Sequence, residues 1–377
     1  MEFKGVKSEF PILGDRILNR IRNVMIKGDF ISGDDIQVLE IKLAGYVGTK
    51  KCVTCANGTD ALILALMAIG VGDGDAVFVP SFSYVASASC ISILGAKPIF
   101  VDIDDRKFNI SPKSLRKAVL EAKKQGLPCK AIITVDLFGL PANYIEIIEI
   151  ARENALIIIE DAAQGFGGGI GEKKNGSFGD INTTSFFPVK PYGCYGDGGA
   201  IFTNNDEWAD KIWSLKNHGR TIDDKYNNVA IGFNSRLDTI QASVLIEKLD
   251  FFIDYELPAM NQIAQRYNYL LSPFVKIPYI PNNYFTAWAQ YSILLEDTHE
   301  RNALKVFLQK KQIPSMVYYM KPLHKQKALK DAYVLTDLKT SQEIADTILS
   351  IPLHPFLNSN DVNFIAESII EFKSNKK

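Results

Sequence analysis

Leu156–Gly168 reads LIIIEDAAQGFGG: four apolar residues run into two carboxylates and then toward glycines. A strand without a polar face has nothing to offer water on either side. It therefore reads as covered on both faces, as in parallel sheets flanked by crossover helices. Such sheets take ligands beyond the carboxyl ends of their strands. Glu160 and Asp161 stand at that end, with Gln164 three residues on. A carboxylate there is costly to bury unless something pairs with it. A helix N-terminus is one partner that would satisfy Asp161, and a bound cation is another.

The surrounding sequence repeats the pattern. KKCVTCA, AVFVP, PIFVDI and CKAIITVDLF read as strands, alternating with the helices GTDALILALMAIG, SYVASASCISILG, SPKSLRKAVLEAKKQG and ANYIEIIEIARENA. This alternation predicts an α/β fold with a mostly parallel sheet. Two amphipathic helices precede it. The first, DRILNRIRNVMIKG, stops at Gly28, and the second takes Ser32 as its N-cap. Further on, Leu237–Leu271 reads as one long helical stretch interrupted by Pro258. That break places a boundary between a large domain, residues 1–255, and a smaller C-terminal α/β domain, 256–377. The smaller domain reads as strand WAQYSILLE, helix HERNALKVFLQKKQ, strand IPSMVYY and two terminal helices.

Composition excludes several classes. The 377 residues are 47% hydrophobic with net charge −1, so no global field favours nucleic acid or an anionic membrane. The basic tail Lys373–Lys377 reads as a solvated, frayed end. The N-terminus lacks a signal-peptide core, and no apolar run reaches membrane-spanning length, which points to the cytoplasm. Five cysteines do not suggest a disulfide framework; Cys52 and Cys55 form a CxxC without a second pair, and read as ordinary reduced thiols.

SFFPVKPYGCYGDGGAIF, Ser185–Phe202, sets one lysine, Lys190, between Pro188 and Pro191 on a turn joining two strands. Lysines are usually solvated. An amine held on a stiff, enclosed loop can instead condense with an aldehyde to form a Schiff base. The other parts of a pyridoxal-phosphate pocket lie upstream. In NGTDAL, Gly58 lets backbone approach a ligand and Thr59 offers a hydroxyl at a helix start, where free amides favour phosphate. The same residues also suit a plain helix start with Thr59 as N-cap. In SFSYVAS, Tyr84 is the aromatic placed to stack on a flat ring, with Phe82 as alternative and core packing as the ordinary fate of either. Ser185 is a further candidate phosphate ligand, and Asp161 would be paired by the protonated nitrogen of a pyridine ring.

The ordered motifs NGTDAL, EDAAQ, SFFPxK with GDGGA, and GFNSRLDTIQAS resemble the DegT/DnrJ/EryC1/StrS sugar aminotransferases over nearly the whole chain. The resemblance implies a fold type I aminotransferase working as a homodimer. Its cofactor would be pyridoxal 5'-phosphate, and its substrates L-glutamate and a keto-sugar nucleotide. It implies that Lys190 carries the cofactor, Asp161 faces the ring nitrogen and Gln164 lies near the ring hydroxyl. Gly58, Thr59 and Ser185 would bind the phosphate, with Tyr84 stacking and Asn234 reaching the neighbouring subunit's phosphate. Tyr318, His324 and Arg220 would face substrate; a surface role for Arg220 is equally open.

Relatives that replace the lysine by histidine are sugar dehydratases, and this chain keeps Lys190. CYGDGGA is similar to members that aminate UDP-linked 3-keto sugars. The nucleotide, UDP or dTDP, and the carbon aminated, 3 or 4, stay open. A nicotinamide-dependent dehydrogenase would share the alternation but lacks a GxGxxG after a first strand, and a regulator on the same scaffold would need a DNA-reading module for which no chain is left over. A cofactor-dependent dehydratase is separated only by glutamate-dependent amination.

Overall fold

The computed structural model describes residues 1–375. Eight strands form the main sheet: β1 Lys51–Cys55, β2 Ala76–Pro80, β3 Lys97–Val101, β4 Cys129–Val135, β5 Ile157–Asp161, β6 Ile181–Ser185, β7 Gly199–Thr203 and β8 Tyr333–Val334. Their spatial order is β1-β7-β6-β5-β4-β2-β3-β8. Of these, β7 alone runs antiparallel to its neighbours. The period-two rule divides each strand between two cores. Val77, Val79, Ile133 and Ile159 pack with Leu62 and Ile91 on one face. Phe78, Ile132 and Ile158 pack with Leu115 and Ile147 on the other.

Register sets the site. Val135 pairs with Asp161 and Asp161 with Thr183, so the ends of β4, β5 and β6 lie in one row. Gly199 of β7 faces both Ser185 and Cys55, which brings the chain leaving β1 beside the end of β6. A Cβ on Gly199 would come within 2.6 Å of the Asn57 carbonyl group, so glycine permits this approach.

Several boundaries differ from the sequence reading. The first helix, α1, spans Val6–Lys27, begins upstream of Asp15 and carries Pro11 inside it; it ends at Gly28 as expected. The second, α2, spans Asp34–Val47 and is capped by Gly33 rather than Ser32, which has φ 59°. Glycine is required at that position because a Cβ would meet the Asp29 carbonyl at 2.6 Å. Pro258 does not break the long helix. It sits in the first turn of helix Leu257–Leu271, where its missing N–H costs little, and a π-turn, Phe252–Glu256, joins this to helix Thr239–Phe251. IPSMVYY is not a strand; within it Met316 alone bridges, to Ser350. Lys373 is not frayed: it lies in helix Ser359–Ser374 and reaches Glu300 at 2.7 Å. Lys376 and Lys377 lie outside the described residues. Among the described residues no helix is long and apolar enough to cross a membrane.

Candidate active site

The loop bearing Lys190 is pinned from both sides. Phe186 is buried among Phe166 and Tyr192, and its N–H donates to the Gly198 carbonyl at 2.8 Å. Lys190 N–H closes a turn on the Phe187 carbonyl at 2.9 Å. A Cβ on Gly193 would come 2.6 Å from that same oxygen, which explains the glycine behind the turn. The Lys190 amine is drawn below the ordinary lysine range by burial, with the Asp161 charge opposing. It thus sits in a setting that favours a neutral, nucleophilic amine.

Asp161 is buried at the end of β5. Its Oδ2 accepts from Ser87 Oγ at 2.8 Å and its Oδ1 from Ala163 N–H at 3.1 Å. Burial pushes its pKa up, and Lys190 pulls it back. The neighbouring Glu160 is satisfied within the fold instead, accepting from Gly176 N–H at 2.6 Å and Phe178 N–H at 2.7 Å.

The turn after β1 lies against the end of β6. Helix α3, Gly58–Ala68, is capped by Asn57, whose side chain accepts from Asp60 N–H at 2.9 Å, so Thr59 is not the cap. A Cβ on Gly58 would come 2.6 Å from Ser185 Cβ. Backbone amides of a helix start and the Ser185 hydroxyl thus converge without an intervening side chain, a cradle suited to an anion.

Helix α4, Ala86–Ile93, follows the turn that carries Tyr84. Tyr84 is 55% exposed and Phe82 only 1%. Phe82 is core, and Tyr84 is the ring with a free face. Gln164 is held by two bonds: its Oε1 accepts from Phe138 N–H at 2.8 Å and its Nε2 donates to Tyr319 Oη at 3.0 Å. The ring of Tyr319 lies 6.4 Å from Tyr84 and 5.7 Å from Tyr318. His324 Nδ1 lies 2.5 Å from Ser81 Oγ at the end of β2, and burial lowers its pKa. Tyr318 and His324 are therefore brought to the same strand ends as Asp161.

Arg220 and Asn234 are placed differently. The Arg220 guanidinium lies 5.1 Å from the Trp213 ring, and Asn234 is exposed. Their loop docks on α3 through Ser235, whose Oγ donates to Asp60 Oδ2 at 2.7 Å. Neither side chain hydrogen-bonds to Lys190 or Asp161. Cys52 and Cys55 are buried free thiols; burial raises both, Cys55 to about 12. Ser87 and Tyr319 were not singled out from the sequence. Ser87 follows Tyr84 by three residues, one helical turn, and Tyr319 adjoins Tyr318; that spacing was the available signal.

The residues present fit a pyridoxal-type cofactor. A buried carboxylate with hydrogen-bond donors but no ion-pair partner among the described residues suits a protonated ring nitrogen. A lysine with a depressed pKa lies near enough to feel its charge. The set defines an enzyme class built around an aldehyde cofactor on a parallel α/β sheet. The chain belongs to the DegT/DnrJ/EryC1/StrS aminotransferase family, whose family model matches residues 11–370. Aminotransferases of this kind use pyridoxal phosphate, and solved relatives carry it or its amine form.

The chain is 39% identical over 370 residues to the UDP-2-acetamido-2-deoxy-3-oxo-D-glucuronate aminotransferase of Pseudomonas aeruginosa, covering 98% of this chain and 99% of that one. It is 35% identical to the UDP-N-acetyl-3-dehydro-alpha-D-glucosamine 3-aminotransferase of Acidithiobacillus ferrooxidans, covering 97% and 95%. A solved DegT DnrJ EryC1 StrS aminotransferase from Brucella abortus superposes with TM-score 0.96 at 45% identity, covering 99% of each chain.

Proposed function

We propose that this protein is a pyridoxal-phosphate aminotransferase that moves the amino group of L-glutamate onto a UDP-linked 3-keto sugar. The observation that carries the reading is buried Asp161, which has hydrogen-bond donors but no ion-pair partner among the described residues and lies near enough to Lys190 for each to shift the other's pKa. Relatives acting on UDP-3-keto sugars support the substrate class.

Bound pyridoxal phosphate supplies an aldehyde for amines and a ring that accepts electron density. Lys190 would hold the cofactor, and its Nζ, once freed, would take a proton from the donor carbon and pass it to the cofactor, then with the keto sugar take a proton from the cofactor and pass it to the acceptor carbon. Asp161 would hold positive charge at the ring nitrogen. Gln164, fixed by Phe138 and Tyr319, would meet the ring hydroxyl, and Tyr84 would stack on the ring. Gly58, Thr59 and Ser185 would hold the phosphate. Tyr318 and His324, from residues 256 onward, bound the sugar side of the pocket, so the division at 255/256 separates cofactor-binding from sugar-binding elements.

A homodimer completes the site in this reading. The loop carrying Arg220 and Asn234 exposes Tyr226 at 81% and Ile231 at 91%, an apolar surface suited to burial against a second copy. Asn234 would then reach the partner's phosphate. The enzyme works in the cytoplasm, and its amino sugar feeds a surface glycan such as the O-antigen of lipopolysaccharide.

The test is Lys190→Ala. Wild-type protein should show visible absorbance from lysine-bound cofactor and should aminate a UDP-3-keto sugar with glutamate, read by mass spectrometry. The variant should lose both. Full activity in the variant would overturn the reading.

A further inference from the structure

A second amine occupies the lysine pocket. Lys4 lines the cavity behind Pro188–Pro191 together with Lys190, Lys248, Glu9, Glu256 and His354. Its Nζ donates to the Ala289 carbonyl, and among the described residues no carboxylate lies within ion-pair distance of it. Lys248, in the same cavity, is matched: it meets Glu9 at 2.8 Å. Glu256 lines the same cavity but forms no ion pair with Lys4, and burial and the Glu9 charge raise it to about 7. Burial and the charge of Lys190 bring Lys4 itself down to about 7.

The chain is built to hold Lys4 there. Gly5 has φ +50°, and a Cβ on it would lie 2.5 Å from His354 Nδ1, so glycine lets the N-terminal segment seat on the imidazole. His354 is 6% exposed, and neither ring nitrogen has a well-formed hydrogen bond. The Phe3 ring packs 6.3 Å from Tyr318. A half-buried ammonium without an ion-pair partner thus shares a cavity with the reacting lysine, beside a buried imidazole that burial and the Lys4 charge push toward its neutral form while the Glu2 and Asp361 charges pull the other way. A cation partly withdrawn from water without a counter-ion is costly, and the cost is relieved when an anion arrives. The cofactor phosphate is not that anion, since its cradle at Gly58, Thr59 and Ser185 shares no lining residue with this cavity. A sugar diphosphate leaves from carbon 1, away from a reacting carbon 3, and needs a path to solvent.

We propose that Lys4, with His354 beside it, anchors a substrate carboxylate next to Lys190. This rests on the aminotransferase reading. Two sources share the chemistry: the carboxylates of the amino donor, or the C6 carboxylate of a uronic-acid sugar.

The experiment follows the half-reactions of the holoenzyme by its visible absorbance, for wild type, Lys4→Met and Lys4→Arg. The arms are L-glutamate, a UDP-3-keto uronate and a neutral UDP-3-keto hexosamine, each sugar offered to the amine form. Lys4→Met should raise the half-saturating concentration about tenfold or more for one carboxylate-bearing arm, spare the neutral sugar and keep the wild-type resting spectrum. Lys4→Arg should retain most of the affinity. A glutamate effect assigns the donor, and a uronate effect assigns the sugar; either supports the proposal. In wild type, affinity for that substrate should weaken above about pH 7, as Lys4 loses its proton and Glu256 gains charge. Unchanged carboxylate arms in Lys4→Met, or an equal loss in all three arms, would overturn it. A wild-type protein without lysine-bound absorbance would instead bring down the reading of the site, and this inference with it.

Discussion

Ser87 Oγ donates to Asp161 Oδ2 at 2.8 Å, and Ser83 Oγ stands 3.0 Å behind Ser87. Both serines are buried. The bond stabilises the ionised form of Asp161 against a burial that pushes the other way. Ser87→Ala should therefore weaken cofactor binding about tenfold, the value of one hydrogen bond to a charged group. Titrating apoprotein with pyridoxal phosphate measures it. Ser87→Thr, which keeps the hydroxyl, should restore most of the affinity. Unchanged binding in Ser87→Ala would mean that Asp161 stays ionised without help.

Asp161→Asn keeps the shape and removes the charge that holds a proton on the ring nitrogen. Turnover should fall about a hundredfold or more, as when a group that meets developing charge is neutralised. Lysine-bound absorbance should persist, because Lys190 is intact. Single-turnover kinetics with glutamate separate this from a binding defect. A variant with near-normal turnover would show that the carboxylate is structural.

Asp161 and Lys190 were legible because each breaks a local rule: an acid ends an apolar strand, and a lysine sits in a proline- and glycine-bound loop. Ser87 was not, since a serine in the first turn of a helix violates nothing. Lys4 was hidden for another reason: its hydrogen-bond partner, Ala289, is 285 residues away, and no pattern within the first ten residues announces that contact. IPSMVYY has the apolar content of a strand, but only Met316 finds a bridging partner, and strand propensity does not act without a neighbour. Ser32 lost the cap to Gly33 because the chain turns back on Asp29 too closely for a side chain. The alternating strands and helices were readable because their burial is nearly complete on both faces, which leaves the sequence little freedom.

Gly58→Ala tests the phosphate cradle. The added methyl would lie 2.6 Å from Ser185 Cβ, where both backbones are fixed by helix α3 and strand β6. Overpacking of this kind costs about 1–3 kcal/mol. The melting temperature should drop, and the purified protein should retain less cofactor than wild type. Addition of pyridoxal phosphate should stabilise the variant less than it stabilises wild type, because the cradle is displaced. Equal stabilisation of the two would place the phosphate elsewhere.

Asp136 and Glu160 form a second buried acid pair, behind the site. Asp136 Oδ1 accepts from Ala142 N–H at 2.9 Å and from Tyr144 Oη at 2.8 Å, while Oδ2 has no donor. Glu160 already accepts backbone N–H bonds, which favour its charge, and that charge beside Asp136 favours the protonated form of Asp136. Burial and the Glu160 charge push Asp136 well above the usual carboxylate range. A folded pKa raised above the unfolded one gives a contribution that is full below the unfolded value, about 4. It is lost progressively as pH rises from there through the folded value. Asp136→Asn supplies a permanent neutral donor. Its melting temperature should therefore fall less steeply than that of wild type as pH rises above about 4, with the gap between the two widening in favour of the variant. Parallel melting curves across that range would show that Asp136 is ionised in the folded protein.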